Sequence, residues 1–598
     1  MPHYKAPVND VAFLLKDVFP LSDHADLAGF SDVTPDLVDA IIQEAAKLCE
    51  EVMAPLNLSG DQEGCTRHHD GRVTTPKGFK AAHDAYVQGG WIGLSVDTQY
   101  GGQGLPYTLG TVVNEFATSA NISLSMYPLL TMGAVAALLV HGSQAQKQTF
   151  IPKMIEGAWS GTMNLTEPHC GTDLGLIKTK AVPQPDGSYA ITGSKIFISA
   201  GEHDLTENII HLVLARIEGA PAGTKGISLF VIPKIMINAD GSLGKKNGVS
   251  CGSIEHKMGI HGNSTCVMNY DDATGWLIGE AHKGLSAMFV MMNEARLGVA
   301  IQGLALSEVA YQNAVSYAKE RLQGRALAGA KYPDKPADPL MVHPDIRRML
   351  LTIRSFNEAA RALVIWTALQ SDIAHRSQDA KTKQAATDMI GLLTPVLKGV
   401  LTERGFENTV LAQQVFGGHG YIAEWGMEQF VRDARIAMIY EGANGIQAMD
   451  LVGRKLGKDG GRAISAFFAE VMAFIQQHAS DSALLPYTKP LKESVDHLQK
   501  ATLWFMQNAL TNPDNAGSGA HDYMHLLGMV ALGLMHCKLV EATHKALANS
   551  SIHDVATMKS RLVTASFFME HLLPETATRL ARITAGSQTM MALPDEMF

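Results

Sequence analysis

Between about residues 161 and 276 the apolar pattern of the chain changes from helical to strand spacing, and after Trp276 it changes back. "SYAITGSKIFISAG" follows an Asp186–Gly187 turn, and "NIIHLVLARI", "GISLFVIPK" and "STCVMNYDDA" are short β-rich runs separated by turn residues. The order is therefore helices, a β domain, helices and more helices. Few architectures have that order, and it predicts a mainly α chain with a central β domain over residues 161–276.

The flanks complete the plan. Residues 1–35 read as an irregular arm. Thr34–Pro35 is a helix start, a hydroxyl cap with proline at the first helical position. Leu37, Ile41, Ala45, Leu48 and Val52 then repeat at helical spacing up to an expected stop at Pro55. Residues 36–160 form an N-terminal helical domain. Its loop "QYGGQGLPY" has three glycines but no strand–turn–helix context, so it is not a dinucleotide fingerprint. Residues 277–456 read as a helical bundle. "LGKDGGR" at 456–462 marks a boundary before an extra helical domain over 463–598, in which "TNPDNAGSGA" at 511–520 reads as a second break.

A chain of 598 residues exceeds what one hydrophobic core supports. Its net charge of −10, with no basic block, argues against nucleic-acid binding. The six cysteines form no CxxC pair or regular framework, as in a reducing compartment. "MPHYKAPVND" has no secretory pattern, and no uninterrupted apolar run reaches the ~18 residues that span a bilayer. These features predict a soluble, cytoplasmic protein without a transmembrane segment. No HExxH, CxxC or acidic cluster suggests a metal.

One stretch, "IYEGANGIQAMDLVGRKL" (439–456), places Glu441 between an apolar-aromatic run and a glycine, where a helix is about to start. Glu441 reads either as a first-turn acid that favours the helix dipole or as an acid with chemistry to perform.

Further motifs bear on that choice. They are "MNLTEPHCGTDLG" (163–175), "KIFISAG" (195–201), "NEARLGVAIQGL" (293–304), "ERLQGR" (320–325) and "QVFGGHGYIAEWGMEQFVRDARI" (414–436). Together with "YEGANG", and in this order, they resemble the acyl-CoA dehydrogenase family. The N-terminal arm and the extra C-terminal domain resemble its long bacterial branch, which acts on 3-methylmercaptopropionyl-CoA or fatty acyl-CoAs.

The resemblance implies FAD-dependent α,β-dehydrogenation of an acyl-CoA thioester to a trans-2-enoyl-CoA, with electrons passed to an electron-transfer flavoprotein. It makes Glu441 the catalytic base. Gly442 is implied to let the backbone bend, so that the same residue also donates its N–H to the thioester carbonyl. FAD contacts are implied for Leu165, Thr166, Gly171, Thr172, Phe197 and Ser199, with phenylalanine where many relatives have tryptophan. Arg321, Gln323, Gln414 and Gly418 match residues that clasp the FAD of a neighbouring subunit, implying a homo-oligomer, at least a dimer. Ala443 and Asn444 also match the cofactor side, although Ala443 lacks the usual hydroxyl. Thr172, Asn293, Arg296 and Gly442 match substrate contacts. A few relatives carry their base just before the arginine matching Arg296, where this chain has Ala295; Glu294 is expected to be a solvent or salt-bridge residue. His169 is expected to be a loop histidine. The expected substrates are short to medium straight chains, including the thioether. Competing readings are a long-chain dehydrogenase, an acyl-CoA oxidase and a non-catalytic CoA-binding scaffold.

Overall fold

The computed structural model describes residues 2–549 and 554–598, and leaves the side chain of Asn293 undescribed. The chain forms two compact units, Glu44–Gly298 and a second made of Met1–Gln43 with Val299–Phe598.

The first unit joins a helical part to a β barrel. Thr34 Oγ1, in the second unit, accepts the backbone N–H of Leu37 at 3.2 Å, so the expected cap opens the helix Pro35–Leu48, which enters the first unit at Glu44. The helical path does not stop at Pro55. It runs through wide and narrow turns (Cys49–Met53, Ala54–Leu56) into the helix Asn57–Glu63. Proline lies at the start of a new turn, where its missing N–H costs nothing. A hairpin, β1 (Thr66–Arg67) and β2 (Val73–Thr74), follows, and then the nearly wholly buried helices Tyr107–Ala120 and Ile122–His141.

Seven strands build the barrel: β3 (Trp159–Asn164), β4 (Lys180–Pro183), β5 (Tyr189–Ser199), β6 (Asn208–Ile217), β7 (Ile227–Pro233), β10 (Val249–Ile254) and β11 (Thr265–Ile278). β8 (Ile235–Ile237) and β9 (Leu243–Lys246) form a separate hairpin. The order β10-β11-β5-β4-β6-β3 closes because β7 pairs with both β6 and β11. Ala181, Ile191, Val213, Phe230, Met268 and Ala273 fill the interior. Along β6, β7 and β11 the interior residues recur at every second position (Val213 and Ala215; Phe230 and Ile232; Cys266, Met268 and Tyr270), as the strand period requires.

The second unit is helical. Residues 1–35 are not an irregular arm: Val8–Phe13 is helical and continues as a wide turn through Val18. The arm is ordered because it is anchored. Arg561 bonds Asp10, and its guanidinium stacks 4.1 Å from the centre of the Phe13 ring. Within "LGKDGGR" the chain leaves the helical path, with Asp459, Gly460 and Gly461 all left-handed. The stretch "TNPDNAGSGA" holds a break only at its start, between the helices Leu485–Asn508 and Pro513–Ala548. Asn512 caps, and Pro513 opens, the 36-residue helix Pro513–Ala548. Asn–Pro serves equally as a turn or as a helix start, and Gly519 is kept small by Phe505, which a Cβ would meet at 2.9 Å.

The long helix packs on the wide turn Leu397–Leu401: added Cβ atoms on Gly399 and Gly528 would fall 2.3 Å from Met524 and 2.7 Å from Val400. Among the described residues three helices, Ile122–His141, Ala380–Val415 and Pro513–Ala548, are long and apolar enough to cross a membrane by length and composition, although none is an uninterrupted apolar run. Their apolar windows are 78%, 72% and 89% buried within the protein, so core packing accounts for their composition.

Candidate active site

In the helical unit, Glu441 and Gly442 are consecutive left-handed residues, with φ of +54° and +83°. This double turn connects the narrow turn Ile436–Met438 to the helix Asn444–Asp450. Glu441 is half-buried and lies outside that helix, three residues before its first turn. Gly442 cannot be replaced freely, because a Cβ would fall 2.5 Å from Gln447 Nε2. Gln447 Nε2 donates to the carbonyls of Glu441 (3.1 Å) and Gly442 (3.2 Å). The Tyr440 hydroxyl donates to buried Gln302.

Lys398, absent from the sequence reading, fixes the turn from beneath. Its side chain is fully buried, and Nζ donates to the Gly442 carbonyl at 2.8 Å and to Asn444 Oδ1 at 2.9 Å. Asn444 Nδ2 donates to Gly399 O and Thr402 Oγ1, both at 3.1 Å, and lies 3.4 Å from Glu403 Oε2. Asn444 was expected on the cofactor; its buried amide is instead committed to this internal network, and a flavin contact through that side chain would have to break it. Glu403 in turn accepts from His521 and His525. Burial pushes the Glu403 carboxyl up, but the two histidines outweigh it and hold it well below the usual range.

Arg321, Gln323, Gln414 and Gly418 are all exposed on this unit. An aromatic cluster brings their segments together: Tyr317 stacks on Phe416 at 4.1 Å, His419 on Trp425 at 4.5 Å, and Tyr317 Oη meets His419 Nδ1 at 2.9 Å. Buried Asp338 holds the following loop by accepting the N–H groups of Ala326, Lys331 and Tyr332. These bonds depress its carboxyl to about 2. Gly417 and Gly418 face open space. Arg321 makes no ion pair among the described residues, so a fixed cation stands ready for an anionic ligand.

The barrel unit gathers Leu165, Thr166, Phe197 and Ser199. Ile196 N donates to Thr166 O at 2.9 Å, which ties the end of β3 to β5. The buried pair Lys195–Glu167 (2.9 Å) clamps the same join, and Lys195 Nζ also donates to Leu165 O at 2.9 Å. A bulge opposite Cys266–Met268 puts Phe197 at φ +59° and leaves its ring 60% exposed. A strained, bare aromatic beside two hydroxyls, Thr166 and Ser199, that have no partner among the described residues fits a flat heteroaromatic ring. Gly171 lies near Thr166 (3.4 Å from an added Cβ), and Thr172 is exposed. His169 is an exposed loop residue whose Nε2 meets Leu176 O at 2.9 Å.

On the helix Gly284–Glu320, Arg296 is buried and its guanidinium lies 5.9 Å from the Phe289 ring centre. Asn293 belongs to this helix, but its side chain lies outside the described residues. Glu294 is neither a solvent residue nor an ion-pair partner among the described residues: it is half-buried, and burial raises its pKa to about 8.

Comparison with known proteins matches residues 37–158, 162–273 and 282–456 to the N-terminal, middle and C-terminal domains of acyl-CoA dehydrogenases, and 467–594 to an "Acetyl-CoA dehydrogenase C-terminal like" domain. The chain is 41% identical to 3-methylmercaptopropionyl-CoA dehydrogenase of Ruegeria pomeroyi, covering 98% of this chain and 99% of that one. It is 32% identical to the broad-specificity linear acyl-CoA dehydrogenase FadE5 of Mycobacterium tuberculosis over the whole of both chains. The fold matches an acyl-CoA dehydrogenase of Bacillus anthracis solved with FAD, at 19% identity and a TM-score of 0.75, covering 98% of this chain and 93% of that one.

Proposed function

Since the chain belongs to the acyl-CoA dehydrogenase family, we propose that it desaturates an acyl-CoA thioester at the α,β bond with Glu441 as the base. It is an oxidoreductase with FAD as its cofactor. Bound FAD supplies the acceptor for the hydride that leaves the β carbon.

The observation that carries the reading is the double left-handed turn at Glu441–Gly442, held by Lys398 and Gln447. Left-handed non-glycine residues cost ~1–2 kcal/mol and persist where the surroundings impose them, typically at functional sites. The α C–H bond breaks, its proton passes to the Glu441 carboxylate, and the C–C double bond forms. A free glutamate, with a pKa of ~4.3, is a weak base for that step. Acyl chain covering the half-buried carboxylate removes water from it and strengthens it as a base. The Glu441 N–H is suited to polarise the thioester carbonyl, a contribution of ~3 kcal/mol for one placed donor.

Phe197, Thr166 and Ser199 would hold the flavin ring. Arg321, Gln323, Gln414 and Gly418 would hold the diphosphate end of a second subunit's FAD, which makes the enzyme a homodimer. The substrates are short to medium straight acyl chains, among them 3-(methylthio)propanoyl-CoA. A thioether resembles a methylene in size and polarity, and each methylene changes binding by only about 1 kcal/mol. The name of the 41% identical relative supports the thioether. Electrons pass to an electron-transfer flavoprotein. Six free cysteines accord with a cytoplasmic location.

The test is a kcat/KM series over acyl-CoA chain length with a dye acceptor, run beside a peroxide assay. Activity from butanoyl to octanoyl and on the thioether is expected. An optimum at palmitoyl-CoA overturns the substrate class, and peroxide release at the turnover rate replaces dehydrogenase with oxidase.

A further inference from the structure

We propose that Glu403, His521 and His525 form a binding site for a divalent cation of the zinc class, joining the helix Thr402–Val415 to the helix Pro513–Ala548. The two histidines lie four residues apart in "HDYMH" and therefore on one face of their helix. Their ring centres are 4.5 Å apart. Both present Nε2 to the same carboxylate: His521 at 3.0 Å and 3.2 Å from its two oxygens, His525 at 3.2 Å from one. One donor atom from each residue lies within 4.8 Å of the others.

Those separations suit a metal. Zinc bonds to imidazole and carboxylate are ~2.0–2.2 Å, so neighbouring donors of a tetrahedral site stand ~3.3–3.5 Å apart. The nitrogen–oxygen separations of 3.0–3.2 Å already lie near that spacing. Two imidazoles and one carboxylate also form a recurrent three-ligand zinc set that leaves the fourth position to water. The side chain of His525 is 1% exposed and that of Glu403 20%, whereas that of His521 is 46% exposed, which supplies an entry path and room for the water. Asn444 Nδ2, 3.4 Å from Glu403 Oε2, steadies the carboxylate from behind.

A second group of metal-ligating side chains, Glu167, His169 and Cys170, carries no such site. The Glu167 carboxylate is already taken by Lys195 Nζ (2.9 Å), Lys178 N (2.7 Å), and the Thr179 N–H (3.0 Å) and hydroxyl (2.6 Å).

The site sits where the extra C-terminal domain meets the network under the Gly442–Asn444 turn. A bound ion would pin that domain to the network while leaving Glu441 untouched. The experiment is calorimetric titration of ZnCl2 into chelator-treated, FAD-loaded, full-length protein, with thermal melting of the same samples. The exposed His521→Ala variant and the buried His525→Gln variant are run in parallel, and flavin absorbance confirms that each is folded. At least one zinc per chain is expected at submicromolar to micromolar concentration, with a rise in Tm. Either substitution should weaken that site by at least ~30-fold and remove the rise, since even outer-shell changes cost metal sites 10–100-fold. No zinc binding by the wild type, or equal binding by wild type and His521→Ala, overturns the proposal and leaves a hydrogen-bonded His–Glu–His cluster.

Discussion

Lys398→Met should disable the active-site turn more than it destabilises the protein. Lys398 Nζ is buried and donates to Gly442 O (2.8 Å) and Asn444 Oδ1 (2.9 Å). Hydrogen bonds from a charged donor are worth ~1.5–3 kcal/mol each, so the two amount to ~3–6 kcal/mol before compensation. Two effects reduce the loss. Methionine removes a buried charge whose desolvation costs several kcal/mol, and Gln447 still donates to Gly442 O at 3.2 Å. The net local cost is then ~2–3 kcal/mol, falling on residues 442–444. If it is felt as misplacement of Glu441, the first-order rate of flavin reduction should drop by ~30–160-fold, from 1.36 kcal/mol per tenfold. Tm should fall by only a few degrees. The assay is anaerobic stopped-flow reduction at saturating acyl-CoA, with a melting curve on the same preparation. A rate within about twofold of wild type would refute the claim that the lysine positions the turn.

Gly442→Ala adds ~1–2 kcal/mol of left-handed strain and a 2.5 Å contact with Gln447 Nε2, so flavin reduction should slow by about tenfold while FAD stays bound; an unchanged rate means that the turn tolerates a side chain. Arg321→Ala should shed FAD and dissociate the dimer together on gel filtration; a wild type that is already a monomer contradicts the shared cofactor site. Burial depresses His83 to about 4 and His211 and His536 to about 3, so these histidines are neutral in the fold. Their folded pKa values lie below the unfolded ~6.5, so their stability contribution is present above pH 6.5 and is lost as pH falls below it, by up to ~1.4 kcal/mol per unit for each histidine. Urea unfolding at pH 7, 6 and 5 should show stability falling steeply; a flat profile over that range contradicts the burial of neutral imidazoles.

What could be read from sequence follows the range of the interactions. The Thr34 cap acts over three residues and the strand period over two, so both were legible. The arm was not, because Val8–Phe13 is held by Arg561, more than five hundred residues away. The break expected over 511–520 is confined to the residues before Pro513, because Asn–Pro signals a turn and a helix start equally. The motif residues of the barrel were visible, but the left-handed bulge that bares Phe197 depends on how β5 registers against β11. Lys398 and Lys195 escaped notice because a buried lysine is identified by its acceptors, which here are carbonyls, an amide and a carboxylate remote in sequence. For the histidine pair there is a signal: HDYMH has the i, i+4 spacing of two ligands on one helix face, which the absence of HExxH, CxxC and an acidic cluster does not exclude.

Single-turnover reduction of bound FAD by butanoyl-CoA, compared between wild type and Glu441→Gln, shows most directly whether Glu441 is the base. The substitution keeps the shape of the side chain and removes its basicity. Glu441→Gln is expected to retain FAD and bind the thioester while flavin reduction falls by several orders of magnitude. A variant that still reduces its flavin at a tenth of the wild-type rate would place the base elsewhere, with half-buried Glu294 the next carboxylate to replace.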